Sequence, residues 1–277
     1  MKFAAVAPNP YRELHIYYLE GRFRPGRDFS PKHYIGSWEE DGFSFLFFTR
    51  PNLPLVKDTL VGLPNVELLD HFHMSYDQWQ GGEIVPRRIG AFVVCPPWYA
   101  MDESAADSTI ILDPGVVFGT GTHPTTRDCL EALQLAIDDG MVRSALDLGT
   151  GTGLLALATA RLGCPKVLAA DLTLLAARTA RRNVRLNQLT DRILVAQGDA
   201  EKFMDFTSDL VISNIHYAVM KSLIRKEGFL KKKRFILSGL MRSEAARIES
   251  ALTELPVEII RRWDQDGIWH TFYGAIC

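Results

Sequence analysis

The sequence predicts an α/β protein in which a small α+β domain precedes a doubly wound parallel sheet that ends in an antiparallel hairpin. Three observations indicate this fold class: strand-like segments with little helix over the first hundred residues, alternating strands and helices from residue 110 onward, and two final strands that flank a turn-forming segment. Strands that alternate with helices form parallel sheets, whereas two strands joined by a tight turn run antiparallel.

Composition is that of an ordinary globular protein with two domains. The chain has 277 residues, of which 47% are hydrophobic and 23% are charged, and its formal net charge is −2. Single hydrophobic cores stop growing near ~250–300 residues, and a near-neutral charge disfavours a chain built to coat nucleic acid. No apolar run reaches the ~18 residues that span a bilayer. The four scattered cysteines form no Cys-x-x-Cys pair, so we expect no metal site and a cytoplasmic location.

The first domain is predicted over residues 1–100. Glu40-Asp41-Gly42 lies between two apolar runs, 34–39 and 43–48, and therefore predicts a hairpin. The other predicted elements are strands at 15–18, 66–73 and 89–94 and a helix at 53–61.

A polar, weakly patterned linker is predicted at 101–109, and the second domain at 110–277. Its predicted helices are 126–137, 154–162 and 174–189. Its predicted strands are 144–148, 166–170, 193–196, 210–213 and 235–238, followed by a hairpin of 257–262 and 268–275.

The strongest local signal is a glycine turn between a predicted strand and a predicted helix. The run from Asp147 through Gly149 and Gly151 to Gly153 has the pattern D-x-G-x-G-x-G. Glycines let a ligand approach the main chain, and the amides at a helix N-terminus favour an electron-rich group. Asp171 ends the next strand, where a carboxylate can accept hydrogen bonds from both ribose hydroxyls of a nucleoside.

The glycine spacing in this turn distinguishes a dinucleotide site from an S-adenosylmethionine site. A dinucleotide site has a third glycine at the position of Leu154. The pattern found here instead resembles motif I of class I S-adenosylmethionine-dependent methyltransferases, which implies S-adenosylmethionine as the cofactor and places Asp147 near its ammonium group. In such enzymes an acid at the position of Asp199 contacts the adenine amino group. The alternatives are a ligand-free turn and, for Asp199, a helix cap.

A second loop carries the resemblance to a particular family. Residues 113–126 read D-P-G-V-V-F-G-T-G-T-H-P-T-T, and this run resembles the signature of the ribosomal protein L11 methyltransferase family. Segments 95–98, 209–215 and 237–240 are also similar, so the resemblance covers about residues 76–277. It implies cofactor contacts by Thr126, Gly149, Asp171 and Asn214, with a methionine-side loop that includes Phe118, Gly119 and His123.

The sequence differs from the family in two places, and these differences bear on the identity of the acceptor more than on cofactor binding. The family's first domain is a ferredoxin-like module that recognises the ribosomal protein, but the Gly-, Pro- and Arg-rich stretch before Tyr34 leaves little room for that module's first helix. The family usually has a second acid two residues after the ribose carboxylate, where this chain has Thr173.

The predicted catalytic residues are Asn214, Tyr217 and His123. The run from Asn214 to Tyr217 keeps the ends of the Asn-Pro-Pro-Tyr pattern of amino-group methyltransferases. We expect Asn214 to orient the acceptor or the cofactor and Tyr217 to line the acceptor slot. Packing over the sheet edge is an equal alternative for Tyr217. His123 or His216 could take the departing proton, as could water.

The sequence thus predicts an S-adenosylmethionine-dependent N-methyltransferase acting on a protein amine, of a lysine or an amino terminus. The resemblance implies a large-subunit ribosomal protein as its partner. Two alternatives stay open. The acceptor could be another protein, an RNA or a small molecule, or the chain could be a non-catalytic S-adenosylmethionine-binding module. We expect no membrane association and no direct nucleic-acid binding. The basic run 231–234 and the arginines of helix 174–189 are interpreted as solvated faces.

Overall fold

A computed structural model describes residues 5–24, 29–100, 108–138, 140 and 142–277. The contacts of the chain divide it into two compact units, one of residues 1–85 with 98–100 and the other of residues 86–97 with 101–277. Within the described ranges, every helix is too short or too polar to cross a membrane.

The first unit is an antiparallel sheet with two helices. Its elements are β1 (Glu13–Glu20), β2 (Tyr34–Glu40), β3 (Phe43–Phe48), α1 (Leu53–Leu60), β4 (Glu67–Ser75) and α2 (Tyr76–Gln80). The strands lie in the order β2–β3–β1–β4. The β2–β3 loop confirms the predicted hairpin, because Asp41 and Gly42 have φ of 49° and 87°, as a two-residue turn that matches the strand twist requires.

This strand order is that of a ferredoxin-like module, in which two βαβ halves interleave. The helix that would join β1 to β2 is absent from residues 21–24 and 29–33, the described part of that connection. Helix α1 covers one face of the sheet, where Val56 packs in a cluster with Tyr17, Leu19 and Phe48. The described residues therefore agree with the expectation that the sequence leaves little room for the module's first helix.

The second unit carries a seven-stranded sheet and a small three-stranded one. Its elements in chain order are β5 (Arg87–Ile89), β6 (Phe92–Cys95), β7 (Thr109–Ile111), α3 (Pro124–Asp138), β8 (Ser144–Leu148), α4 (Leu154–Arg161), β9 (Lys166–Asp171), α5 (Leu174–Leu186), β10 (Ile193–Gln197), α6 (Ala200–Phe203), β11 (Leu210–Asn214), α7 (Tyr217–Leu223), α8 (Glu227–Leu230), β12 (Arg234–Met241), α9 (Arg242–Thr253), β13 (Val257–Gln265) and β14 (Trp269–Ile276).

The large sheet confirms the predicted doubly wound fold. Its order is β10–β9–β8–β11–β12–β14–β13, with parallel pairing except at β14, which runs antiparallel to β12 and β13. Successive strand residues enter opposite cores, since Ala145 packs in the cluster of α3, α4 and α5 while Leu146 packs in that of α7, α8 and α9. Helices α6–α9 were not predicted. Helices α6, α7 and α8 span only four, seven and four residues, and α9 buries only Ala245, Ile248 and Leu252.

The prediction of a single strand at 89–94 is wrong, because this segment forms most of a hairpin. Gly90, with φ of 60°, turns the chain between β5 and β6, and β6 then pairs in parallel with β7. This pairing puts residues 86–97 in the second unit, whereas the sequence assigned them to the first domain. Of the predicted linker 101–109, residues 101–107 lie outside the described residues and Thr109 begins β7.

Two buried asparagines of α5 anchor the end of β7 and the segment that follows it through side-chain hydrogen bonds to the backbone. Asn183 accepts from the Asp113 amide at 2.9 Å and donates to the carbonyls of Asp113 and Thr152 at 3.0 and 2.8 Å. Asn187 exchanges the same pair of hydrogen bonds with the backbone of Ile111. Arg182 forms an ion pair with the buried Asp113 carboxylate at 2.9 Å. The interpretation of the α5 arginines as a solvated face is therefore wrong for this residue. These bonds fix the start of the 113–126 loop.

Replacing Asn183 with alanine should lower the free energy of unfolding by about 3 kcal/mol, because it leaves buried backbone groups without partners. Urea denaturation followed by far-UV circular dichroism measures the change. Gln134→Ala is the matched control, since its amide bonds only the exposed Asp138. Equal stability of the two variants would contradict the anchoring role.

Candidate functional site

The predicted site residues gather at the carboxyl edge of the large sheet. Strand β8 comes first in the chain, and the order then proceeds to β9 and β10 on one side and to β11 and β12 on the other. Ligands of doubly wound sheets bind at this edge, beside the strand where the order reverses. The ends of β8, β9 and β11 carry the glycine turn, Asp171 and Asn214.

Asp171 is held in one orientation by both neighbouring loops. The Gly151 amide donates to its Oδ2 at 3.0 Å, and the Thr173 amide and hydroxyl donate to its Oδ1 at 3.0 and 3.2 Å. Thr173 also caps α5 by accepting from the Ala176 amide. The threonine that stands where the family has an acid thus positions the carboxylate, which remains half-exposed and able to accept further hydrogen bonds.

Asp147 is buried under the turn and ties strand, turn and helix together. Its Oδ2 accepts from the Thr150 hydroxyl at 2.6 Å and from the Ala156 amide at 3.1 Å. Burial raises the pKa of Asp147 to about 6, against the opposing effect of these two hydrogen bonds, and the charge of Asp171 raises it further. The carboxylate is therefore mostly ionised at neutral pH and titrates just below it.

The two glycine-rich loops lie side by side. The Thr152 amide donates to the Phe118 carbonyl at 3.2 Å, and the Thr152 hydroxyl donates to the Gly119 carbonyl at 2.6 Å. A Cβ on Gly151, whose φ is 56°, would stand 2.6 Å from the Phe118 carbonyl oxygen. Glycine is required there because the two backbones approach closely.

Glycines also flank the end of β11. A Cβ on Gly149 would overlap the Ile215 side chain, and one on Gly239 would stand 2.7 Å from Asn214 Oδ1. Asn214 Nδ2 donates to the Thr125 hydroxyl at 3.3 Å, and Thr125 Oγ1 is 2.7 Å from His123 Nδ1. Asn214, Thr125 and His123 therefore form a connected polar chain.

His123 lies among aromatic rings. Its ring centroid is 4.8 Å from that of Trp269 and 5.8 Å from that of Phe118, both in edge-to-face geometry. Burial lowers the pKa of His123 below the ordinary histidine value, so the imidazole is neutral at pH 7. In the tautomer whose Nδ1 donates to Thr125 Oγ1, Nε2 carries the lone pair that can take up a proton.

The remaining predicted residues differ in how closely they contact the polar chain of Asn214, Thr125 and His123. Thr126 is buried at the start of α3, with its amide bonded to the His123 carbonyl, and the Phe118 side chain is 68% exposed. Asp199 caps α6 through the Glu201 amide at 3.0 Å, which engages one of its two oxygens. Tyr217 is half-buried and packs against the core of α7–α9.

Two residues of this group were missed by sequence reasoning. Thr125 lies inside the 113–126 signature, so its position was visible but its contact with Asn214, 89 residues away, was not. Trp269 begins β14, and no local pattern connects it with His123. Only the pairing of the terminal hairpin with β12 brings this tryptophan to the carboxyl edge.

The arrangement can bind a ligand that carries vicinal hydroxyls and positive charge. Asp171 offers acceptors for hydroxyls, and the ionised Asp147 adds negative potential. No cluster of three or more metal-ligating side chains occurs in the described part of the chain. A shallow depression of about 380 Å³ near Ser144, Lys166 and Arg192 lies at the amino edge of the sheet and contains none of the predicted residues.

Comparison with known proteins identifies the family. The family model described as ribosomal protein L11 methyltransferase (PrmA) matches residues 63–275. A ribosomal protein L11 methyltransferase of Desulfitobacterium hafniense is 39% identical over 185 residues, which cover 66% of this chain and 58% of that protein. One from Carboxydothermus hydrogenoformans is 37% identical over 185 residues, covering 66% and 60%. The match thus spans less than two thirds of these relatives.

A solved structure is similar over a comparable share of the chain. The crystal structure of a ribosomal protein L11 methylase from Lactobacillus delbrueckii subsp. bulgaricus has a TM-score of 0.59 and 26% identity, and covers 69% of this chain and 98% of that one. Together with the family match over most of the sequence, this likeness shows that the chain belongs to the ribosomal protein L11 methyltransferase family.

Proposed function

We propose that this protein transfers the methyl group of S-adenosylmethionine to an amine of a protein, with ribosomal protein L11 as the acceptor. One observation carries the proposal: the fixed Asp171 and the chain of Asn214, Thr125 and His123 lie at the same edge of one sheet. The names of the relatives support the choice of acceptor.

The residues around the glycine turn fit S-adenosylmethionine. Gly149 and Gly151 let the turn pack closely against Ile215 and the Phe118 carbonyl, where a Cβ would collide. Asp171 is oriented to accept from the ribose hydroxyls. The cofactor carries a sulfonium and an ammonium but no phosphate, so the buried negative charge of Asp147 stabilises it. When bound, S-adenosylmethionine supplies an electrophilic methyl group on sulfur.

The polar chain at the end of β11 suits an amine acceptor. Neutralising a lysine amine at pH 7 costs about 4.6 kcal/mol, because its reference pKa lies roughly 3.4 units above that pH. Asn214 donates through Nδ2 to Thr125, which leaves its carbonyl oxygen to accept a hydrogen bond from the amine and orient its lone pair. Neutral His123, in the tautomer that donates from Nδ1 to Thr125, can hold the released proton at Nε2, and Tyr217 lines the slot.

The test is incubation of the purified protein with methyl-labelled S-adenosylmethionine and a lysate of its own host lacking this gene, followed by mass spectrometry. Label on ribosomal protein L11 is the expected result. Label on another protein, or label lost on RNase treatment, would replace the acceptor. Binding of S-adenosylhomocysteine without any labelled product would indicate a non-catalytic module.

Replacing Asn214 with alanine should lower kcat/KM for the acceptor about a hundredfold, since a misoriented nucleophile reacts far more slowly. The affinity for S-adenosylmethionine should fall much less. Steady-state kinetics and calorimetric titration separate the two effects. Asn65→Ala, at an exposed asparagine of the first unit, is the control, and full turnover by the Asn214 variant would exclude its role.

The affinity for S-adenosylmethionine should decrease as the pH falls through about 6, the pKa of buried Asp147. A cationic ligand favours the ionised carboxylate, so binding lowers this pKa and releases a proton. Affinity is therefore full above pH 6 and falls by at most about tenfold per pH unit below it. Fluorescence titration between pH 5 and 7 measures the slope. Asp147→Asn should bind more weakly but without this slope, and an unchanged slope in that variant would assign the titration to another group.

A further inference from the structure

A buried carboxylate on α3 takes no part in the proposed function as described so far. Asp128 lies three residues after Thr125 on this helix and is buried. Burying an uncompensated carboxylate costs several kcal/mol, so such groups are kept where hydrogen bonds or opposite charges stabilise them. The groups that bind Asp128 therefore indicate what this residue does.

Asp128 accepts hydrogen bonds from both strands of the terminal hairpin. Gln265 Nε2, at the end of β13, donates to its Oδ1 at 2.6 Å, and Thr271 Oγ1, in β14, donates to its Oδ2 at 3.3 Å. Thr271 Oγ1 is also 2.6 Å from Ser238 Oγ in β12. Because the single hydroxyl hydrogen of Thr271 goes to the carboxylate, Ser238 is the donor in this contact. The chain of hydrogen bonds thus runs from β12 through β14 and ends on Asp128.

These contacts fit the ionised form of Asp128. Both of its oxygens accept, whereas a protonated carboxyl would have to donate from one of them. Burial raises the pKa of Asp128, and the hydrogen bonds from Gln265 and Thr271 oppose this rise. On the same helix, Arg127 Nε lies 3.4 Å from Glu131 Oε1, so this arginine pairs with another carboxylate. Hydrogen bonds from the hairpin are therefore what stabilises the buried charge.

The hairpin that Asp128 binds also carries Trp269, whose ring packs against His123. Trp269 stands opposite Gln265 in the pairing of β13 with β14 and lies two residues before Thr271. Residues two apart on a strand point to the same face of the sheet, so Trp269 and Thr271 both face α3. The carboxylate therefore fixes the hairpin directly beside this tryptophan.

Ser238 connects the same chain of hydrogen bonds to the strand of Asn214. It stands opposite Asn214 in the parallel pairing of β11 with β12, and the next residue, Gly239, borders the Asn214 carboxamide. Asn214 in turn donates to Thr125 on α3. Two polar contacts, one from Thr125 and one from Asp128, thus set the start of α3 over the carboxyl edge.

Apolar packing also holds the hairpin against α3. Leu133 of the helix lies in one buried cluster with Trp263 and Tyr273 of the hairpin. Apolar contacts tolerate small shifts, whereas hydrogen bonds to a fixed carboxylate are directional. A shift of about 1 Å in the groups around a reaction can lower its rate about a hundredfold. The carboxylate is therefore suited to setting the alignment of the carboxyl edge rather than to attaching the hairpin.

We propose that Asp128 is a positioning residue for the methyl transfer. By binding both strands, its carboxylate holds the terminal hairpin in the alignment that places Trp269 against His123. The proposal rests on the proposed function in one respect, namely that the transfer takes place at this edge of the sheet. Asp128 acts on the reaction through these side chains and not by contact with the acceptor.

The test uses three full-length variants of the hydrogen-bond chain. Asp128→Leu removes both acceptors at similar volume, and Thr271→Val removes the hydroxyl between Ser238 and the carboxylate. Asp128→Asn is the conservative variant. Its amide oxygen can accept from Gln265, and its amide nitrogen can donate to Thr271, whose hydroxyl then donates to Ser238.

Glu131→Leu is the matched control. Glu131 also binds the hairpin from α3, because Trp263 Nε1 donates to its Oε2 at 3.0 Å. It lies three residues beyond Asp128 on the helix, and therefore farther from His123. This variant removes a contact between the same two elements without touching the chain that ends on Asp128.

Four measurements separate positioning from general damage to the structure. Steady-state kinetics with ribosomal protein L11 gives kcat and KM, calorimetry gives the affinity for S-adenosylmethionine, and thermal unfolding gives stability. Nuclear magnetic resonance of isotope-labelled histidine, with S-adenosylhomocysteine bound, gives the ring signals of His123, assigned by comparison with His123→Gln. These signals report the position of Trp269, since an aromatic ring shifts the resonances of nuclei beside it.

We expect Asp128→Leu and Thr271→Val to lower kcat about tenfold and to displace the His123 signals. The KM for L11 and the affinity for S-adenosylmethionine should stay unchanged. Asp128→Leu should unfold close to the wild-type temperature, because an apolar side chain of similar volume replaces a buried charge. Asp128→Asn should retain most of the turnover, and Glu131→Leu should leave kcat and the His123 signals unchanged.

Unchanged kcat or unchanged His123 signals in Asp128→Leu and Thr271→Val would overturn the proposal, and Thr271→Val decides if the leucine variant does not fold. An equal loss in Glu131→Leu would overturn it too, because any contact between α3 and the hairpin would then suffice. The same holds if Asp128→Asn is as slow as Asp128→Leu, since the charge and not the alignment would then matter.

The His123 signals also separate this proposal from the proposed function. If the wild type does not methylate L11, the proposed acceptor is wrong, but the signals can still be measured. Their displacement in Asp128→Leu and not in Glu131→Leu would support the positioning role, and their constancy in Asp128→Leu would overturn it.

Discussion

Close backbone approach at the carboxyl edge of the large sheet is the constraint on which the site depends. Gly149 and Gly239 leave space on both sides of β11 for Ile215 and for the Asn214 carboxamide, and Gly151 admits the Phe118 carbonyl. These glycines have φ between 56° and 81°, a region that disfavours other residues. Without this space, Asn214 could not stand beside Thr125, and the loop of Phe118 could not contact the glycine turn.

Hydrogen bonds from the buried Asn183 and Asp147 and from the half-exposed Asp171 then hold the arrangement in one geometry. Asn183 bridges the Asp113 and Thr152 backbones, so one side chain of α5 fastens both glycine-rich loops. Asp147 and Asp171 each bind two elements that the chain must bring together. Buried polar groups that are fully paired specify a unique geometry, which a binding site for a small cofactor requires.

The residues that carry the proposed function all lie in the second unit. The second unit supplies the cofactor edge and the polar chain that ends at His123. The first keeps the strand order of a ferredoxin-like module.

The sequence by itself determined the strands of the large sheet, the helices α3–α5 and the position of the glycine turn, because helix and strand periodicity and glycine spacing are local properties. Tertiary structure decided what depends on contacts between distant residues. Parallel pairing of β6 with β7 assigned residues 86–97, and the terminal hairpin brought Trp269 to His123. Lys232 lies in a run that the sequence predicts as solvated, yet it is buried and donates to the Met204 and Phe206 carbonyls. Its environment is set by a segment 26 residues away, which no local pattern reveals.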